Sequence, residues 1–445
     1  VFLEFIKSLY LTKRVFYLLA AIIILFLFSN WLPGIYPIIW MIVWAVLLTC
    51  LFDGITLYKY KNGIKAHRLL PDKFSNGDYN AIPVQITNNY PIRIHTEIID
   101  EIPIQFQKRD FLKQISIASR EVVNFEYTIR PVQRGVYTFG HLHIYAYTNI
   151  GLIKRRFRFD KEAAVKVYPS FIQMKKHDFL AINNRVSTLG LKKIRKIGHT
   201  MEFEQIKEYV VGDDVRTINW KTTAKHGHLM INQYQDEKSQ PIYSIINASR
   251  VMKMPFNGLS LLDYAINSAL AFSNIALKKH DKVGLLSFSN KINNFLPAQR
   301  KKTYLNTISD SLYNIDTEFL DADFGMLYAQ IKRQISQRSL LLLYTNYEHI
   351  SSLKRQLPYL KSIAKKHLLV VIFFENTELQ QVIHKNTSDL QGIYDKTIAQ
   401  QFAYDKKTMV KELQKHGIQS VLTAPENLTV NTINKYLEIK ARGIL

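Results

Sequence analysis

Two apolar runs near the start of the chain constrain it more than any other feature. Val15 to Leu32, "VFYLLAAIIILFLFSNWL", and Ile35 to Phe52, "IYPIIWMIVWAVLLTCLF", are each about a bilayer thickness long when helical. Only Pro33 and Gly34 separate them, so the two helices must turn back on each other as a tight hairpin. A cleaved signal peptide would account for the first run alone. Bulky residues at its end, and the second run directly after it, argue against cleavage. The expectation is an anchor over residues 1–60, with spans at about 15–32 and 35–55.

Orientation follows from basic residues. Lys7, Lys13 and Arg14 precede the first run, Lys59, Lys61, Lys65 and Arg68 follow the second, and the turn between them is uncharged. Both flanks are therefore expected on the cytoplasmic side, with almost nothing outside. The whole chain carries 59 Lys and Arg against 36 Asp and Glu, a formal charge of +23. Such a surplus suits nucleic acid, an anionic membrane surface or an acidic partner. Contact with anionic lipid of the inner leaflet takes up part of it. Nucleic acid is disfavoured, because the lysines are dispersed and no recognised binding motif is present. The densest cluster, "LKKIRKIGH" at 191–199, reads as a solvated or lipid-facing surface. A basic membrane protein that binds nucleic acid or anionic lipid remains the alternative. Cys50, the sole cysteine, lies in the second run; it excludes an intramolecular disulfide and fits a reducing compartment.

Residues 61–170 alternate apolar and polar positions, as in "AIPVQITNNYPIRIHTEIID" and "HLHIYAYTNIGLIKRRFRF", with turn signals between the runs. This pattern predicts an antiparallel β-sandwich of immunoglobulin-like size. His141 and His143 share a strand face and could hold a metal, but no third ligand is evident nearby. From 241 to 445 the rhythm changes. The apolar runs "PIYSII", "KVGLLSF", "SLLLLYT" and "HLLVVIFF" alternate with helical stripes, predicting a mostly parallel sheet covered on both faces. Residues 171–240 form a linker and a motif-bearing segment.

That segment contains "IKEYVVGDDVRTINWKTTAKHG", Ile206 to Gly227. Gly212 permits a turn, Asp213 or Asp214 can cap a helix start, and Gly227 can stop the helix. Arg216 is free to make a forked pair with Glu208 or Asp213. No serine, cysteine or histidine stands at a spacing that suggests a nucleophile with its base. No catalytic residue, cofactor or small-molecule substrate is therefore expected.

The longer stretch from Glu202 to Met252 resembles the signature of the DUF58 family, a bacterial domain of unknown function. The matching positions are Glu202 and Phe203, Lys207, Glu208 and Tyr209, Gly212, Asp213 and Asp214, Arg216, and Ile218 with Trp220 and Lys221. The resemblance implies that the α/β tail, 241–445, is like a von Willebrand factor A domain. Those domains hold a divalent metal with Asp-x-Ser-x-Ser, a threonine and a second aspartate. Here Asn247 stands for the first aspartate, Ser249 matches the first serine, Val251 replaces the second, and Asn346 stands for the second aspartate. The metal site is thus degenerate, and no metal is expected, since Mg²⁺ normally relies on carboxylates. Asp321 or Asp323 is the conjectural replacement. Asn247, Ser249, Thr345 and Asn346 become partner-binding candidates. The resemblance further implies a multi-pass protein of the bacterial inner membrane with its soluble domains in the cytoplasm. It would act as a non-enzymatic scaffold or adaptor for a protein partner, such as an AAA+ ATPase of the MoxR type.

Overall fold

The computed structural model describes residues 6–160, 162–175, 201–211, 213–236, 240–317, 319–385 and 389–443. The basic cluster at 191–199 and Gly212 lie outside these residues, as do the side chains of Glu202 and Phe203. The chain divides into two compact units, Val1–Tyr168 and Pro169–Leu445.

The first unit opens with a short strand, β1 (Leu9–Leu11), and two helices, α1 (Lys13–Ser29) and α2 (Tyr36–Tyr58), joined through a 3₁₀ turn at Pro33–Ile35. The ring of Phe26 on α1 meets Tyr36 and Trp40 of α2 edge-on. α2 is long and apolar enough to cross a membrane, while α1 has 17 residues. Phe16 and Leu27 on α1, and Met41 and Phe52 on α2, are exposed. Such a surface is costly in water and at home in hydrocarbon.

Ten strands follow: β2 (Ile64–Arg68), β3 (Lys73–Ser75), β4 (Asn80–Asn88), β5 (Ile94–Asp100), β6 (Lys113–Ile117), β7 (Val122–Ile129), β8 (Gly135–Phe139), β9 (Leu142–Tyr147), β10 (Ile153–Phe159) and β11 (Ala163–Tyr168). They form sheets ordered β1-β10-β9-β5-β6, β2-β4-β7 and β3-β11-β8, antiparallel except for the β3–β11 pair. The alternation seen in the sequence sends Ile82, Val84 and Ile86 of β4, and Leu142, Ile144 and Ala146 of β9, into one core. Arg68, counted above among the charges flanking the helices, is instead buried at the end of β2. It pairs with buried Asp100, which also accepts from Tyr127 Oη at 2.5 Å.

The helices are tied to this β structure by specific bonds. Asp53 of α2 is fully buried and accepts from Thr148 Oγ1 (2.5 Å), the Leu152 amide (3.0 Å) and the Ile153 amide (2.9 Å). β1 pairs with β10, Thr12 donates through Oγ1 to the Gly151 carbonyl, and Arg14 donates to the Ile150 carbonyl. Gly151 adopts φ +66, and a Cβ there would meet the Arg14 guanidinium at 2.9 Å, so the turn requires glycine.

The second unit begins with a two-stranded arm, β12 (Met201–Glu208) and β13 (Met230–Asp236), which carries the helix α3 (Trp220–His226). Then come β14 (Pro241–Asn247), a small hairpin of β15 (Pro255–Phe256) and β16 (Leu259–Ser260), α4 (Leu261–Lys278), β17 (Lys282–Phe288) and β18 (Ile292–Gln299). α5 (Tyr304–Tyr313), α6 (Phe324–Gln334), β19 (Leu340–Tyr344), α7 (Ile350–Ala364), β20 (Leu368–Phe374), α8 (Thr377–His384), α9 (Leu390–Lys415), β21 (Gln419–Thr423) and α10 (Leu428–Ala441) complete it.

Its main sheet has the order β18-β17-β14-β19-β20-β21, parallel except for the edge pair β17–β18. Successive strand residues face opposite sides. Ile242 and Ile246 of β14 and Leu340 and Leu342 of β19 pack with α4, α5 and α10; Tyr243, Ile245, Leu341 and Leu343 pack with α6, α7 and α9. Continuous apolar runs, with no polar alternation, are what a sheet covered on both faces demands. α4 starts at a capping box, where Ser260 and Asp263 satisfy each other's backbone amides.

Candidate functional site

The chain leaves β14 toward β17 on one side and later builds β19 and β20 on the other, so the order of strands reverses between β14 and β19. The crevice outside the carboxyl ends of such strands is where open α/β sheets bind ligands. Asn247 ends β14, and Thr345 and Asn346 follow β19 directly. Asn247 Nδ2 donates to Thr345 Oγ1 at 2.9 Å, and its Oδ1 accepts the Ser249 amide at 3.0 Å. The four candidates Asn247, Ser249, Thr345 and Asn346 are therefore brought together, and all are buried, the most exposed being Asn346 at 7%. Ser249 Oγ is buried without a hydrogen-bond partner among the described residues. Val251, in the 3₁₀ turn Arg250–Met252, packs against the core beneath.

A residue that sequence reasoning passed over completes the site. Lys406, on α9, donates from Nζ to Asn346 Oδ1 at 2.8 Å and to the Tyr347 carbonyl at 2.5 Å, and stands 5.7 Å from the centre of the Phe373 ring. No carboxylate lies within ion-pair distance of it among the described residues. Burial pushes its ammonium down to about 8, while Glu348 and Glu375 pull the other way. The ammonium borders a cleft of about 550 Å³. Phe256, Phe374, Leu379, Ile383 and Phe402 give it apolar walls, and Glu348, Glu375, Asn376, His384 and Lys407 add polar groups. The lining holds no serine, threonine or cysteine, so it offers no hydroxyl or thiol nucleophile.

The donor set does not suit the divalent metal that the resemblance implies. Asn247 spends both side-chain atoms on Thr345 and the Ser249 amide. The Asn346 oxygen already receives an ammonium, and a fixed positive charge in hydrogen-bond contact opposes a second cation. What is left over, the Ser249 hydroxyl and the second lone pair of Thr345 Oγ1, carries no negative charge. The conjectural carboxylates are engaged elsewhere, since Asp321 sits 3.4 Å from Arg250 and Asp323 caps α6 by accepting the Met326 amide at 2.9 Å. His141 and His143 likewise each have a separate partner, the Asp160 carbonyl at 2.6 Å and Glu101 at 2.7 Å.

The DUF58-like motif lies on the arm. Asp214 caps a 3₁₀ turn, Val215–Thr217, by accepting the Arg216 amide. α3 starts later than expected, at Trp220, and its cap is Asn219. Ile218 intervenes because it bridges to Ile231 of β13, which breaks the helix the motif suggested. Gly227 ends α3 at φ +75, as the motif requires. Asp213 pairs with Lys207 at 3.2 Å and Glu208 with His228 at 3.0 Å. The expected fork from Arg216 to Glu208 or Asp213 is thus replaced by other partners. Arg216, Trp220 and Lys221 all face solvent, while Tyr209 is half-buried. Around them Val210, Val211, Val215 and Leu229 are exposed, Val211 at 94% and Trp220 at 69%.

Fold and site together define a multidomain protein with one helix long and apolar enough to cross a membrane, a β-rich unit and a unit of helices around a mostly parallel sheet. Residues 205–382 match the family described as "Protein of unknown function DUF58", so this part of the chain is similar to that family. The match takes in the arm and β14 through β20, and leaves out Lys406. The chain is 20% identical over 220 residues to the uncharacterized protein YeaD of Bacillus subtilis (strain 168), covering 47% of this chain and 54% of that protein. It thus spans about half the length of this curated relative. Among solved structures, the conserved hypothetical protein BatB from Bacteroides thetaiotaomicron is 15% identical, covers 46% of this chain and 100% of that one, and has a TM-score of 0.30. A PapD-like domain of human CEP192 is 9% identical, covers 24% of this chain and 84% of that one, and has a TM-score of 0.18.

Proposed function

We propose that this protein is a membrane-anchored, non-catalytic adaptor. In this reading α1 and α2 both span the membrane, and both soluble units lie in the cytoplasm. The β-rich unit is an immunoglobulin-like sandwich, and the α/β unit a metal-free von Willebrand factor A-like domain following the motif-bearing segment 171–240. The observation that carries the adaptor role is the solvent-facing arm. A two-stranded sheet is marginally stable by itself, and this one shows Trp220, Val211 and Val215 to water beside Arg216 and Lys221. Exposed aromatic and arginine side chains of this kind are typical anchors of protein interfaces. An AAA+ ATPase of the MoxR type is the proposed partner.

The test is capture from membranes with the full chain as bait, compared with a Trp220→Ala, Arg216→Ala variant. An AAA+ ATPase enriched by the parent and lost with the variant supports the proposal; equal capture by both removes the arm from it. A reporter fused after Leu445 tests the topology, and a periplasmic signal would contradict it.

A further inference from the structure

We propose that the cleft beside Lys406 binds a small amphiphilic monocarboxylate, with the carboxylate on the Lys406 ammonium and the apolar body against Phe256, Leu379, Ile383 and Phe402. This site is distinct from the arm and does not depend on the adaptor reading.

The geometry supplies three reasons. First, two of the three ammonium protons of Lys406 go to neutral oxygens, Asn346 Oδ1 and the Tyr347 carbonyl. A largely desolvated cation held by neutral acceptors gains most from a carboxylate brought into contact. Second, the cleft, at about 550 Å³, has the size of a small-molecule site, and its walls are mainly aromatic and aliphatic. Third, it opens beside the carboxyl ends of β19 and β20, next to the point where the strand order reverses. The cation belongs to the chain itself, so recognition of the acid needs no bound metal.

The charges facing Lys406 set the pH window. Glu348 and Glu375 lie on the loops after β19 and β20, His384 on α8, and Lys407 on α9, with His349 packed against Phe402. Glu348 and Glu375 oppose a second negative charge, so a monocarboxylate fits where a dicarboxylate or phosphate would be repelled. Binding is expected to be strongest near pH 6 to 7. It weakens above about pH 8, as the ammonium loses its proton, and below about pH 5, as the ligand gains one.

The probe is 4-phenylbutanoate, with 4-phenylbutan-1-ol and 4-phenylbutylamine as neutral and cationic controls. Binding to the full chain in phosphatidylcholine nanodiscs is followed by ligand-observed NMR, with empty nanodiscs subtracted. At pH 7 the acid should bind about tenfold more tightly than the alcohol, as a charge-assisted hydrogen bond implies. Lys406→Met keeps the aliphatic stem and should bring acid and alcohol to parity. Lys406→Arg, which keeps the charge, should retain part of the preference. Equal binding of acid and alcohol by the parent, or an unchanged preference in Lys406→Met, would overturn the proposal. Tighter binding of the amine would also overturn it, making the cleft a cation site of Glu348 and Glu375. Trp220→Ala should leave acid binding unchanged, which separates failure of this site from failure of the arm.

Discussion

Asn247 Nδ2 lies 2.9 Å from Thr345 Oγ1 and joins the ends of two adjacent parallel strands through a buried, neutral hydrogen bond. Two carboxylates at the Asn247 and Asn346 positions would repel one another without a cation between them. Two amides, with the Lys406 ammonium on one, close the same sheet edge using groups the chain already contains.

Millimolar Mg²⁺ or Mn²⁺ should therefore leave the melting temperature of the protein unchanged. A metal bound only by the folded state at ten times its Kd would add about 1.4 kcal/mol, which thermal unfolding would show clearly. Asn247→Asp with Asn346→Asp should produce a metal response only when combined with Lys406→Met, because the ammonium would otherwise neutralise the new carboxylate. Stabilisation of the unaltered chain by low metal concentrations would defeat this account.

Lys406 should also write itself into the pH dependence of stability. Its proton is held with a pKa of about 8 in the folded chain and about 10.4 when unfolded. Between those values the unfolded state binds more protons, so this contribution to stability grows as pH rises. It is complete above the unfolded value and lost as pH falls through 8. The rise is on the order of 2 kcal/mol between pH 7.5 and 10.5, taken as the difference between parent and Lys406→Met in denaturant titrations. Parallel profiles for the two proteins would show that the ammonium is well solvated.

Asp53→Ala should cost about 3–5 kcal/mol in the first unit, because it strands two buried amides and a hydroxyl. Hydrogen exchange locates the damage: the Leu152 and Ile153 amides should lose protection first. Asp53→Asn keeps one acceptor oxygen and should lose less.

The conspicuous aspartate and arginine of the arm should matter little to folding. Asp214→Ala removes the cap of an exposed 3₁₀ turn, worth about 1 kcal/mol, and Arg216→Ala should change stability by under about 0.5 kcal/mol. Melting curves of the two variants give the answer directly. A large loss for Arg216→Ala would mean that it has a buried partner.

The apolar runs that became β14, β17, β19 and β20 were plain in the sequence, because strands buried on both faces leave no polar alternation to confuse with another element. The period-two pattern of the first unit was equally legible. Lys406 was missed for a physical reason. It sits on the stripe Ala399, Phe402, Lys406, Met409 and Leu413, and a lysine at a core-facing step of a helix was the available signal. Its partner, Asn346, lies 60 residues away, and only the docking of α9 against the sheet brings them together. Arg68 misled for the same reason: a basic residue after an apolar run counts toward topology, yet this one is spent on Asp100 in the core. On the arm, cap chemistry was visible at Asp214 and Gly227, but the bridge between Ile218 and Ile231 depends on a strand pairing that local spacing does not encode.

The grip of Asp53 on the Thr148–Ile153 turn, together with the pairing of β1 and β10, removes slack from both ends of the helical hairpin. α1 enters through a strand that belongs to the sheet, and α2 leaves through a carboxylate that the sheet holds. A helix pair embedded in a bilayer adjusts its tilt to the thickness of the lipid around it. In the membrane-spanning arrangement proposed above, such a tilt would not be absorbed by a flexible tether; it would swing the β strands of this unit as a pointer fixed to its axle.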